Sequence, residues 1–152
     1  MKYTKCSYNV KYGDIYMVKL NGKDCEQKGV RPCIIFQNDI GNKYSPNVVI
    51  LPLTSSIKKL SMPTHILVEP SKTNGLTKTS LILCETPRDI SKSSLVCKLG
   101  EASEETMKKV AQANLYASCS IAHLDINTLM QCWNNARKMV CQWARLYQSK
   151  AL

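Results

Sequence analysis

A chain of 152 residues, 44% of them hydrophobic, can bury one core and has little room for a second, so a single main domain is expected. Twenty-one Lys and Arg against eleven Asp and Glu give a formal charge of +10, which favours a polyanionic partner without choosing between nucleic acid, an anionic membrane and an acidic protein segment. No apolar run reaches the roughly 18 residues of a membrane span, and MKYTKCSYNVKYGD at the start lacks the apolar stretch of a signal peptide, so a cytoplasmic protein is expected.

The charge is uneven. Met1 to Leu60 holds ten basic and four acidic residues, so the partner surface is expected mainly in the first half. The eight cysteines contain no C-x-x-C pair and read as reduced thiols, mostly buried small hydrophobes.

In chain order, Asp14 to Leu20 (DIYMVKL) is β-rich after a turn glycine, with Ile15, Met17 and Val18 as inward-facing candidates. Asn21 to Gly29 is a polar loop. Arg31 to Gln37 (RPCIIFQ) is a nearly continuous apolar run, the pattern of a strand covered on both faces. Asn38 to Pro46 is turn chemistry. Asn47 to Thr54, Thr64 to Val68 and Ser80 to Glu85 follow as strands, and Cys97 to Gly100 adds a sixth.

Helices come last. Ser103 is a good N-cap for a helix from Glu104 to Ser120, with Met107, Val110, Ala111, Asn114 and Ala117 on one face. A second helix is expected from Ile126 to Gln148 with Asp125 as its cap, because Ile126, Leu129, Met130, Trp133, Val140, Trp143 and Tyr147 recur at three- and four-residue steps. Short strands punctuated by Gly, Pro and Asn argue for a small β-barrel followed by helices, a mainly β, α+β fold, rather than a parallel α/β sheet.

Several segments carry more than fold. C-E-Q-K-G-V-R-P (Cys25 to Pro32), I-I-F-Q-N-D-I-G-N-K-Y-S-P (Ile34 to Pro46), P-L-T-S-S-I-K-K (Pro52 to Lys59), M-P-T-H (Met62 to His65) and S-L-I-L-C-E-T-P-R-D-I (Ser80 to Ile90) occur in that order. This series, from about Tyr12 to Ala122, resembles the MazF/PemK/Kid family of type II toxin–antitoxin mRNA interferases. The resemblance implies an SH3-like small β-barrel of the MazF/PemK/CcdB type, working as a homodimer. It further implies cleavage of single-stranded mRNA without a metal or other cofactor, restraint by an acidic MazE-like antitoxin, and contact with operator DNA only through that antitoxin.

The chemistry can be argued beside the resemblance. Transesterification of RNA needs the 2′-OH aligned with phosphorus, a proton acceptor, charge stabilisation at the phosphorane and a proton donor for the leaving oxygen. Arg31 matches the family's catalytic Arg; its guanidinium suits the phosphorane charge and is a poor resting base. Thr54 matches the catalytic Thr at a strand end, as an orienting hydroxyl. Glu26 matches the Glu of the family's E-Q pair, a candidate acceptor of the 2′-OH proton. Each also has a structural reading: a surface residue opening a strand, a β-branched strand residue and a solvated loop charge.

Around these, Gln27, Lys28, Gly29, Ser55, Ser56, Lys58, Lys59 and Arg88 are expected to border the RNA groove, Lys by phosphate attraction and Gln and Ser by base edges. Tyr44 is a candidate for base stacking, whereas Phe36 belongs to an apolar run. Two histidines far apart, His65 and His123, argue against a His–His acid–base pair, and Cys119 with His123 lacks further ligands at zinc spacing.

The sequence departs from the family in three places. The Asn21–Gly29 loop is slightly short, Thr86-Pro87-Arg88 replaces the usual Q-I-R, and a tail extends past Ile121. The domain expectation is therefore a toxin-like barrel with its helix over 1–122 and a helical extension over 123–152, packed on that domain or on a dimer partner. The alternatives are a non-enzymatic CcdB-like toxin that binds DNA gyrase and an inactive RNA-binding homologue.

Overall fold

The computed structural model describes residues 9–22, 28–57, 60–118 and 125–148, the last helix with side chains to residue 138. Two compact units divide the chain, Met1–Ala117 and Ser118–Leu152. In the first, strands β1 (Asp14–Leu20), β2 (Gly29–Ile35) and β3 (Asn47–Thr54) form an antiparallel centre. Strands β4 (His65–Val68), β5 (Ser80–Leu83), β6 (Arg88–Ser91) and β7 (Leu95–Glu101) complete a seven-stranded sheet of order β4-β5-β3-β2-β1-β7, with β6 also on β3.

The near-continuous apolar character of β2 and β3 follows from burial on both faces. Ile34, Leu51 and Leu53 project to one cluster with Ile15, Ile82 and Val110, whereas Cys33, Ile35, Val48 and Ile50 project to another with Tyr16, Val18 and Leu20. Of the inward-facing candidates on β1, Ile15 and Val18 are fully buried and Met17 is half-buried.

β5 and β6 behave as one broken strand along β3. Thr54 and Leu53 pair with Leu81 and Ile82, then the register resumes at Ile50 with Arg88. Pro52 falls in the interruption, where a ladder donor is not called for on that side. The four residues of β6 were not expected from the sequence, and β7 is longer than the expected Cys97–Gly100.

The strands and the helices after them follow the expected small-barrel fold, with a sheet that is open rather than closed. Its path starts at β4 and ends at β7. Beside β7 lies the segment after β4, joined to it by Glu101 N–H donating to the Thr73 carbonyl (2.9 Å). Closure depends on which distant edges meet, and strand count does not specify that.

Asn38 to Pro46 is a correction, because a six-residue helix, α1 (Asp39–Tyr44), stands where turn chemistry was expected. The Asn38 side chain accepts from Gly41 N–H and caps it, and buried Asn42 donates Nδ2 to the Gln37 carbonyl at 2.8 Å. Helix α2 (Glu104–Ala117) is capped by Ser103, whose Oγ accepts from Thr106 N–H at 3.1 Å. It buries Met107, Val110 and Ala113, and Asn114 Nδ2 donates to the Cys84 carbonyl at 2.9 Å.

In the second unit, α3 (Ile126–Gln148) has the expected bounds. Asp125 Oδ1 accepts from the N–H groups of Asn127 and Thr128, and hydrogen bonding to Thr128 holds the Asp125 carboxyl below its ordinary range. Along the stripe Ile126, Met130 and Trp133 are exposed, and the Arg137 guanidinium lies 4.6 Å from the Trp133 ring centre. No helix among the described residues is long and apolar enough to cross a membrane.

Candidate active site

Gly29 opens β2 with φ +89°, a conformation that suits glycine. Two residues on, Arg31 pairs across β1 with Val18, and its Nη2 donates to the Lys28 carbonyl at 3.0 Å. Its Nε is buried with no hydrogen-bond partner among the described residues.

The β2–β3 ladder places Cys33 opposite Pro52. Two residues farther along each strand come Arg31 and Thr54, so both project to the face shared by Cys33 and Pro52. Thr54 is the last residue of β3, and its Oγ1 accepts from Ser56 N–H at 3.2 Å, a side-chain turn that leads the chain out of the sheet.

Arg31, Thr54, Ser55 and Ser56 line one cleft of about 500 Å³. Its other wall comes from the approach to β5, where Thr77, Lys78 and Ser80 contribute, over an apolar floor that includes Met17, Leu76 and Leu99. Arg31 and Lys78 bring positive charge, five residues bring hydroxyls, and no carboxylate lies among the described lining residues. Such a surface suits a phosphodiester: guanidinium and ammonium for the anion, hydroxyls for phosphate oxygens, ribose or base edges.

Sequence reasoning missed Thr77, Lys78 and Ser80. The signal available was G-L-T-K-T-S at Gly75 to Ser80, a turn glycine followed by hydroxyls and one Lys before a strand. Nothing in that pattern says which other segment it meets.

Arg88 does not line this cleft. It lines a second one of about 510 Å³ with Lys19, Asn21, Asp89 and Ser91. It pairs with Ile50 and so projects to the same sheet face as Arg31. Both guanidinium charges act on Cys33: burial pushes that thiol up to about 12, and Arg31, a backbone hydrogen bond from Leu53 and Arg88 oppose the rise. Protonated and fully buried, Cys33 is a packing residue rather than a nucleophile.

Lys28 and Gly29 are exposed at the mouth of the loop, Lys28 serving Arg31 through its carbonyl. Glu26, Gln27, Lys58 and Lys59 lie outside the described residues. So do Cys119 and His123. His65 does not line the cleft; its Nε2 is 2.8 Å from Glu85 Oε1. Phe36 packs against the core with the Tyr12 ring 6.0 Å away, while Tyr44 is exposed. Of the described cysteines, Cys33 and Cys84 are buried and Cys97 and Cys132 exposed, fewer buried than expected.

Residues 11–115 match the family described as PemK-like, MazF-like toxin of type II toxin-antitoxin system. Endoribonuclease MazF of Staphylococcus saprophyticus is 44% identical over 102 residues, covering 66% of this chain and 84% of that protein. MazF from Deinococcus radiodurans is similar in structure with a TM-score of 0.62 at 20% identity, over 72% of this chain and 96% of that one, a likeness of fold. An endoribonuclease from a mycobacterial species, solved in complex with its cognate antitoxin, has a TM-score of 0.55 at 25% identity, over 72% and 93%.

Proposed function

Because this chain belongs to the family of PemK-like, MazF-like toxins of type II toxin–antitoxin systems, we propose that it is an endoribonuclease that cuts single-stranded mRNA and thereby stops translation. The reaction is a metal-independent attack of a ribose 2′-OH on its own phosphorus, leaving a 2′,3′-cyclic phosphate and a 5′-hydroxyl. The observation that carries this proposal is the placement of Arg31 and Thr54 at neighbouring strand ends on one face, within a cationic, hydroxyl-lined cleft.

In this account Arg31 stabilises the charge that builds on the phosphorane and donates toward the leaving 5′-oxygen. Thr54 orients the phosphate or the 2′-OH. Glu26 accepts the 2′-OH proton. Ser55 and Ser56 border the same substrate at the cleft, and Gln27, Lys28, Gly29, Lys58, Lys59 and Arg88 extend the contact along the strand.

The chain acts in the cytoplasm as a homodimer and is held in check by an acidic MazE-like antitoxin, through which alone it meets operator DNA. A net charge of +10 supports an acidic partner, and so does the antitoxin complex of the mycobacterial relative.

Incubating the purified protein with a long single-stranded RNA in EDTA tests the enzyme. Discrete fragments with 5′-hydroxyl ends are expected. Intact RNA, together with DNA gyrase trapped on DNA, would identify a CcdB-like poison instead.

A further inference from the structure

Strand order places Thr54 between two arms. On one side β2 carries Arg31; on the other, β5 starts at Ser80, with Leu81 paired to Thr54. Adjacent strands lie about 4.8 Å apart, so the Arg31 backbone and the chain entering β5 are separated by roughly 10 Å across Thr54. Lys78, two residues before Ser80, lines the cleft from that far side and is exposed.

The arm that carries Lys78 is held firmly. Buried Asn74 accepts at Oδ1 from Ser71 N–H and Leu76 N–H, both at 3.0 Å, and donates Nδ2 to the Glu69 carbonyl at 2.8 Å. Gly75 and Gly100 let this segment press its backbone against β7, and Ser80 Oγ donates to the Lys78 carbonyl at 3.0 Å. The base of the Lys78 side chain is thus set by packed main chain, and less ordering remains to be done when an anion arrives.

We infer that Lys78 is an RNA-contact residue that takes the phosphate next to the one held by Arg31 and Thr54, fixing the strand across the cleft from the far side of Thr54. This rests on the endoribonuclease reading for the identity of the substrate. A phosphate seated between Arg31 and Thr54 leaves the cation beyond Thr54 to meet a neighbouring phosphate of the same strand. Lys78 therefore strengthens substrate binding without touching the reacting atoms.

The test measures binding of a fluorescein-labelled, 2′-O-methylated single-stranded oligonucleotide, which cannot be cut, as a function of salt. Lys78→Gln is expected to weaken binding and to make the plot of log affinity against log salt shallower by about 0.7, the loss of one single-strand phosphate contact. Lys78→Arg is expected to restore the slope. Lys72→Gln, on the same arm but outside the cleft, is expected to leave it unchanged.

With cleavable RNA, Lys78→Gln is expected to raise KM and spare kcat. A wild-type slope for Lys78→Gln, or an equal change for Lys72→Gln, overturns the assignment. The binding slopes read Lys78 alone, whereas failure of the wild-type protein to cut RNA would count against the enzyme and not against this contact.

Discussion

At Arg31, one terminal nitrogen is committed to the Lys28 carbonyl while Nε is buried without a partner among the described residues, so the fork is oriented and its donor capacity is not fully used. Thr54 is half-buried at a strand end and lines the cleft. Arg31→Lys keeps the charge but loses the planar fork, and is expected to reduce the single-turnover cleavage rate about 10²- to 10³-fold, nearly as far as Arg31→Ala. Thr54→Val, which keeps the shape, should fall about 10²-fold while Thr54→Ser retains most activity. A wild-type rate in Arg31→Lys would show that charge alone suffices there. Both residues were legible in the sequence as neighbours at one groove, because each sits in a short local motif. Lys78 was not, since a lysine before a strand looks the same whether it faces solvent or a cleft.

Among the elements, the segment between β4 and β5 depends on close backbone contact. A Cβ on Gly75 would come within 2.2 Å of the Leu99 carbonyl oxygen, and one on Gly100 within 2.1 Å of the Thr73 carbonyl oxygen. Gly29 also has positive φ but open space around its Cβ position. Alanine at Gly75 or Gly100 is therefore expected to cost about 3 kcal/mol or more, and at Gly29 only about 1 kcal/mol, measured by urea unfolding. Equal losses at the three sites would mean that the arm is not pressed on β7. Helices α2 and α3 could be read from caps and periodicity. Helix α1 could not, because Asn, Asp, Gly and Ser serve caps and turns alike, and β6 is too short to show an alternation after Pro87.

For the molecule as a whole, the apolar run at β2 announced a strand covered on both faces, and the two clusters on either side of the sheet bear this out. Which edges of the sheet approach each other was hidden, because Thr73 and Glu101, whose backbones bond there, are distant in sequence. The charge of +10 pointed to a polyanion, and Arg31 and Lys78 bring part of that charge to the cleft at the β2–β3 strand ends. The proposed cleavage of RNA in this cleft goes through the substrate's own 2′-OH. Its most direct measurement places a single 2′-deoxyribose on the 5′ side of a mapped cut in an otherwise RNA oligonucleotide. This bond is expected to stay intact while the all-RNA strand is cut to 2′,3′-cyclic phosphate and 5′-hydroxyl ends. Cutting at the deoxy position would contradict it.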